Sequence, residues 1–165
     1  MMRFWQKTKK YRFDLFADYH QFYFMDDETQ PEIPSDVTDE DVRHRIKVAP
    51  HIVVVYPERS TTVPVEFEVH DSEPSHDLAE WDHVTECSID VPSGRLAILG
   101  CTDYLPDAAR IRLQPGCYRV RALHAGLGTL SETGLDGDDR YRVVLWPGSP
   151  QDVRVVKQTT YEVRG

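Results

Sequence analysis

The sequence predicts an all-β fold: an antiparallel two-sheet β-sandwich, or flattened barrel, of about ten strands with one short helix, in one domain over residues 1–165. Three observations predict it. Apolar and polar residues alternate with a period of two in many short segments. Eleven prolines and nine glycines punctuate the chain between those segments. Helical spacing of apolar residues is nearly absent, which removes the crossovers that a parallel sheet needs.

The elements follow in chain order. Residues 11–16 and 19–25 alternate first, and in the second segment His20 falls on the face of Phe22 and Phe24. A histidine placed so is ordinarily a hydrogen-bonded core residue; its functional alternative is the base of a pocket. Residues 26–37 hold Pro31 and Pro34 without periodicity and read as a loop. Thr38 with Asp41 forms a capping-box pattern, so a helix of about two turns starts there. Residues 51–56 and 95–99 are near-continuous apolar runs that suit strands deeper in a sheet. Between them, Val63, Val65, Phe67 and Val69 share one face, with Pro64, Glu66 and Glu68 on the other. Pro64 has no N–H to give a ladder, which argues for an edge or a strand end. Alternation recurs at 84–91, 109–113, 118–122, 141–146 and 152–157, with loops at 71–80 and 125–139.

Gln114, Pro115, Gly116 and Cys117 have the Pro-Gly centre of a type II turn. A two-residue hairpin over 109–122 would put Arg110, Arg112, Arg119 and Arg121 on one face, like charges opposite one another. Such a face needs an anionic neighbour: a strand carrying Glu66 and Glu68 or Glu86 and Asp90, or an anionic ligand. The carboxylate ladder is the expected filler. Type II turns also twist strands the wrong way for a tight hairpin, so a slipped register is the other outcome.

The net charge of −9 is unevenly placed. Residues 1–94 hold 20 acidic and 9 basic side chains, residues 95–165 hold 8 and 10. Two acidic runs stand out. One spans 26–41, with eight acids and no Lys or Arg; the other runs from Glu66 to Asp90, with nine acids and none. Phosphates would be repelled, so direct binding of nucleic acid is not expected, whereas a basic protein would be attracted. The bland alternative is that the acids only keep the chain soluble. No stretch has the roughly 18 apolar residues of a membrane span, and the basic residues 1–10 lead into no apolar secretory core. Cys87, Cys101 and Cys117 are odd in number and lack paired spacing, which points to the reducing cytoplasm.

Catalytic signals are thin. His70, Asp71, His76, Asp77, Asp82 and His83 crowd together, and histidine with carboxylate can hold zinc or act as an acid/base pair. Their spacings of six and seven do not match the fixed geometries of metal motifs, so a solvated loop is the expected reading. Leu135 to Asp139 has calcium-like acids but no bidentate Glu, and Asp-Gly is first a turn signal. Nucleophile-elbow, Walker and dinucleotide motifs are missing, and no cofactor is expected.

Asp18, Tyr19, His20, Gln21 and Phe22, then a Pro-containing gap and Thr38, Asp39 and Glu40, resemble the opening of the competence protein J family. Residues 111–118, ending in Pro115, Gly116, Cys117 and Tyr118, are similar to that family's strand–turn–strand, and Asp139, Arg140 and Tyr141 to its closing strand. Tyr-His-Gln-Phe is the distinctive element. The loops 71–80 and 125–139 are longer than the family pattern. The resemblance implies a small acidic protein that binds and inhibits a DNA-degrading nuclease involved in DNA uptake. Independently, carboxylates on an acidic surface could occupy a basic cleft where phosphates would lie.

The leading expectation is therefore a protein-binding module for a basic protein such as a nuclease, with Asp26, Asp27, Glu28, Asp39, Glu40 and Asp41 as its contact residues. A second is a small-ligand binder or metal-dependent enzyme using His70, His76 and His83 with His20. A third is a structural or housekeeping homo-oligomer.

Overall fold

The computed structural model describes residues 8–75 and 77–161. The strands form two sheets, and no helix among the described residues is long and apolar enough to cross a membrane. The first sheet holds β1 (Thr8–Phe16), β5 (Thr62–His70), β6 (His83–Val91), β9 (Gly116–Ala125), β10 (Arg140–Pro147) and β11 (Arg154–Lys157), in the order β1-β5-β10-β9-β6-β11. The second holds β2 (Phe22–Asp26), β3 (Ile46–Ala49), β4 (Ile52–Val55), β7 (Arg95–Gly100) and β8 (Ala109–Arg112), in the order β3-β4-β2-β7-β8. The one α-helix among the described residues, α1, spans Asp39–His44. The sandwich is open, with edges at β1, β11, β3 and β8.

Alternation explains the interior. Phe22, Phe24, Val53, Val55, Leu96 and Ile98 from the second sheet meet Val63, Val65, Phe67, Val120, Val143 and Leu145 from the first, all essentially unexposed. Phe24 stands edge-on to Phe67 with ring centroids 5.4 Å apart, at the centre of the contact. The outer faces are covered as well. Tyr23, Met25, Ile52, Val54, Tyr56, Ala97 and Leu99 form an apolar cluster outside the second sheet. Trp81, Val84, Leu123, Val144 and Trp146 form one outside the first. Both neighbours of the interior are thus dry, and β2 is buried along its whole length.

The apolar runs 51–56 and 95–99 become β4 and β7, each flanked by strands on both sides. Pro64 lies at the strand end that its missing N–H requires: β10 joins β5 only from Val65 onward. Three elements differ from expectation. β5 and β10 pair in parallel, although every other pairing is antiparallel. The chain between them runs through β6, crosses to β7 and β8 of the second sheet and returns through β9, a connection long enough for parallel pairing. β3 was not foreseen, because four residues before Pro50 are too short for a pattern to register. Most importantly, the 109–122 hairpin does not form.

In its place β8 pairs with β7 in one sheet, while β9 pairs with β6 and β10 in the other. The Pro115-Gly116 corner carries the chain between sheets. Leu113 N–H donates to Gly94 O (2.7 Å), and the Tyr118 hydroxyl donates back to Gln114 O (2.6 Å), closing the corner. The split separates Arg110 and Arg112 from Arg119 and Arg121, which removes the repulsion a hairpin would have imposed.

Candidate protein-binding face

The two acidic runs have different fates. The run from Glu66 to Asp90 lies on or beside the outer face of the first sheet, where arginines of the C-terminal half pair with Glu66, Glu68, Glu80 and Glu86, while Asp71, Glu73, Asp77 and Asp90 stand exposed. Arg121 Nε reaches Glu86 Oε2 at 2.7 Å, both side chains under one-tenth exposed. Arg142 bridges Glu66 (3.5 Å) and Glu68 (3.3 Å), and Arg140 meets Glu80 at 3.1 Å. Two tryptophans cap these cations: Arg140 and Arg142 lie over Trp81 and Arg121 over Trp146, at 4.3, 5.0 and 4.7 Å from the ring centroids. Of the ladder expected beside the four arginines, one rung forms, Arg121 with Glu86; Arg119 lies opposite Ser88. Arg110 finds Asp27 on the other sheet, at 3.0 Å.

The run 26–41 leaves β2 and crosses the outer side of the second sheet to α1. Three of its acids hold it in place. Asp26 is 0% exposed and turns inward. Its carboxylate accepts from Ser93 N (3.0 Å), Ser93 Oγ (2.7 Å) and Thr29 N (2.9 Å), fastening the loop's start to the turn before β7. Burial works against its charge, but those hydrogen bonds outweigh it and hold its pKa below the ordinary value. Asp27 pairs with Arg110 and Arg95, its side chain 14% exposed. Asp41 completes the predicted capping box with Thr38 and receives Lys47 Nζ at 2.9 Å. Burial again opposes the charge there, yet Lys47 and Thr38 lower the pKa.

Glu28, Asp39 and Glu40 stand exposed, as do Glu32 and Asp36 of the same run. Glu40 has His44 one turn on, at 3.9 Å, and Asp36 has Lys47 at 3.7 Å while remaining 87% exposed. Contacts this long on solvated side chains neutralise little. This surface therefore keeps its negative field.

The histidines go elsewhere. His20 is not in a strand: Asp18–His20 form a 3-10 turn with Tyr19 and His20 both in the left-handed region, which takes His20 off the face of Phe22 and Phe24. Its Nδ1 lies 3.4 Å from Pro57 O. His70 contacts Glu68 and Thr8 at 3.0 and 3.1 Å. His83 starts β6, across two intervening strands from β5, a gap of roughly 14 Å at ordinary strand spacing. His76 lies outside the described residues. His70 and His83 are thus not brought together.

Sequence reasoning missed a buried polar cluster at the end of the sandwich near α1. Arg45 pairs with Glu58 at 2.8 Å and donates to Tyr161 O; Arg59 pairs with Asp139 at 2.6 Å. The Tyr141 hydroxyl donates to Asp139 and accepts from Glu58 N–H. His83 Nε2 donates to His44 O (2.8 Å), and its Nδ1 accepts from Thr159 N–H (3.1 Å), which fixes the neutral tautomer. Desolvation lowers the His83 pKa to about 4. His124, edge-on to His83 and Tyr141, is held well below its ordinary pKa first by burial and then by His83 and Arg45. Except for His124, which makes ring contacts but whose nitrogens have no hydrogen-bond partner among the described residues, these groups bond one another and the backbone, tying the helix end, the 57–59 loop and the C-terminal segment to the sheet. Only tertiary structure unites them, so no local motif could have revealed them.

The strands define a two-sheet β-sandwich, with the carboxylates of Glu28, Asp39 and Glu40 exposed beside the second sheet. No family model matches the chain, and no curated protein matches it. Two solved structures share its fold. ComJ from Bacillus subtilis, described as the inhibitor of the DNA-degrading activity of NucA, aligns with a TM-score of 0.66 over 87% of this chain and 99% of its own, at 16% identity. The product of crocagin biosynthetic gene J aligns with a TM-score of 0.55 over 88% and 100%, at 19% identity. The partial resemblance to the competence protein J family holds at the level of the fold.

Proposed function

We propose that this chain is a protein-binding module that inhibits a nuclease or another basic protein, its carboxylates taking the place of phosphates in a basic cleft. One observation carries the reading: the run 26–41 is fastened through Asp26, Asp27 and Asp41 so that Glu28, Asp39 and Glu40 stand exposed, whereas the strand-borne Glu66, Glu68 and Glu86 of the run 66–90 are paired with arginines. Asp26, Asp27 and Asp41 serve by fixing the loop that presents the others. The fold shared with a nuclease inhibitor supports the same reading. The three free thiols fit a reducing, cytoplasmic setting. A partner held by such charges binds in a strongly salt-dependent way.

The test is affinity capture on the immobilised chain at low ionic strength, salt elution, and assay of the eluted protein for DNA degradation. The expected result is a basic nuclease that the chain inhibits at a stoichiometric ratio, with inhibition lost on reversing Glu28, Asp39 and Glu40 together. Inhibition indifferent to salt and to that reversal would retire the proposal, as would an eluate without a basic protein.

A further inference from the structure

A second surface lies at the corner where β1 ends. Three of the most solvent-open large apolar side chains gather there: Phe16 (43% exposed), Tyr19 (70%) and Tyr104 (70%). The backbone explains the grouping. Phe16 O accepts from Cys101 N–H at 3.1 Å, and Gly100 packs so closely on Phe16 that a Cβ would collide with its carbonyl. Asp103 accepts from Gly100 N–H at 2.7 Å and so pins the segment that carries Tyr104. Tyr19 follows within the 3-10 turn, at φ 57°, with His20 at 56°.

Between β1 and the 103–109 segment runs a groove of about 540 Å³. Its apolar lining includes Phe13, Leu15 and Ile98, and its walls include Asp14, Asp103, Tyr104 and Asp107, with Arg12 also on the lining. Asp18 belongs to the same corner: after burial, its charge is what raises the Cys101 thiol pKa. Both flanking strands are sheet edges, so no strand among the described residues pairs with their outward backbone groups. The corner is also continuous with the acidic face. Leu105 and Ala108 pack on the apolar cluster outside the second sheet, and Arg110 ties β8 to Asp27.

Binding energy at protein interfaces concentrates in a few aromatic anchors, while surrounding charges choose the partner. Apolar lining, three open aromatics and four carboxylates combine both functions. Resting on the reading above, we propose that this groove anchors an extended segment of the basic partner. Apolar side chains of the segment lie among Phe16, Tyr19 and Tyr104, and its lysines or arginines meet Asp14, Asp18, Asp103 and Asp107. The exposed edges of β1 and β8 offer backbone hydrogen bonds to such a segment.

The test titrates the full isotope-labelled chain, at low salt, with two blocked heptapeptides of equal charge, one alternating lysine with leucine and one alternating lysine with glycine. The leucine peptide should shift the amides around Phe16, Tyr19, Asp103 and Tyr104, and Tyr19→Ala/Tyr104→Ala should weaken it by about tenfold or more. The glycine peptide should spread over the carboxylates and ignore the double substitution. Asp14→Lys/Asp107→Lys, at exposed positions, gives a second reading should the aromatic variant fold poorly; it should also weaken the leucine peptide. Shifts confined to residues 28–40 with neither variant affecting binding would overturn the groove and leave the acidic-face reading standing. Failure of both peptides to bind would overturn both.

Discussion

Two acidic runs that look alike in sequence are held differently in the fold. The 66–90 run threads strands whose neighbours carry Arg121, Arg140 and Arg142, so Glu66, Glu68, Glu80 and Glu86 are paired beside Trp81 and Trp146, while its loop acids Asp71, Glu73 and Asp77 stand exposed. The 26–41 run lies over a sheet whose outer face is apolar; Lys47, Arg95 and Arg110 pair with Asp41 and Asp27, and Glu28, Asp39 and Glu40 stay exposed. Charge density along a chain therefore does not measure the charge a surface presents. Strand register decides which carboxylates are met by guanidinium groups and which are left to solvent.

The largest expected effect breaks the comparison at its buried side. Arg121 is 2% exposed, so Glu86→Ala strands a buried cation and should cost about 3–5 kcal/mol. Neutralising Glu28, Asp39 or Glu40 should change stability by no more than about 0.5 kcal/mol. Urea midpoints measure both, and similar losses on the two faces would contradict the contrast drawn here.

Acid provides the next test, because it acts first on the histidine end and spares both carboxylate faces. With a folded pKa of about 4 against an ordinary 6.5, His83 is neutral in the fold but takes up a proton on unfolding. Its contribution is fully present above pH 6.5 and is lost as pH falls toward 4. The loss from His83 alone is about 2 kcal/mol by pH 5, and His124 adds in the same direction. Denaturation midpoints from pH 7.5 to 5 should fall accordingly; a flat profile would mean these histidines are not held neutral.

A smaller effect separates the two roles within the 26–41 run. Asp26→Ala leaves the Ser93 and Thr29 amides without their acceptor and should cost roughly 1–3 kcal/mol. Partner binding should weaken with it only as far as the loop loosens. Were Asp26→Ala neutral in stability yet severe for binding, Asp26 would be a contact residue after all.

Much of this was legible before any coordinates. Period-two alternation found most strands because one side of each closes the interior, and Thr38 with Asp41 marked the start of α1 through local chemistry. Legibility failed wherever the deciding contact was remote in sequence. Pro115-Gly116 reads as a hairpin but turns between sheets, because Gly94 and the Tyr118 hydroxyl complete the corner. Tyr19 and His20 read as strand residues because nothing local announces two left-handed positions in succession. Asp26 reads as the first acid of an exposed loop, and only Ser93, far along the chain, draws it inside.

The most direct measurement compares near-surface electrostatic potentials by amide proton relaxation in the presence of cationic and anionic nitroxide cosolutes. Exposed amides of residues 28–40 should report a markedly negative potential, and those beside Arg140 and Arg142 on the opposite face a value near neutral. Equal potentials on the two faces would show that the fold leaves no acidic side to offer a partner.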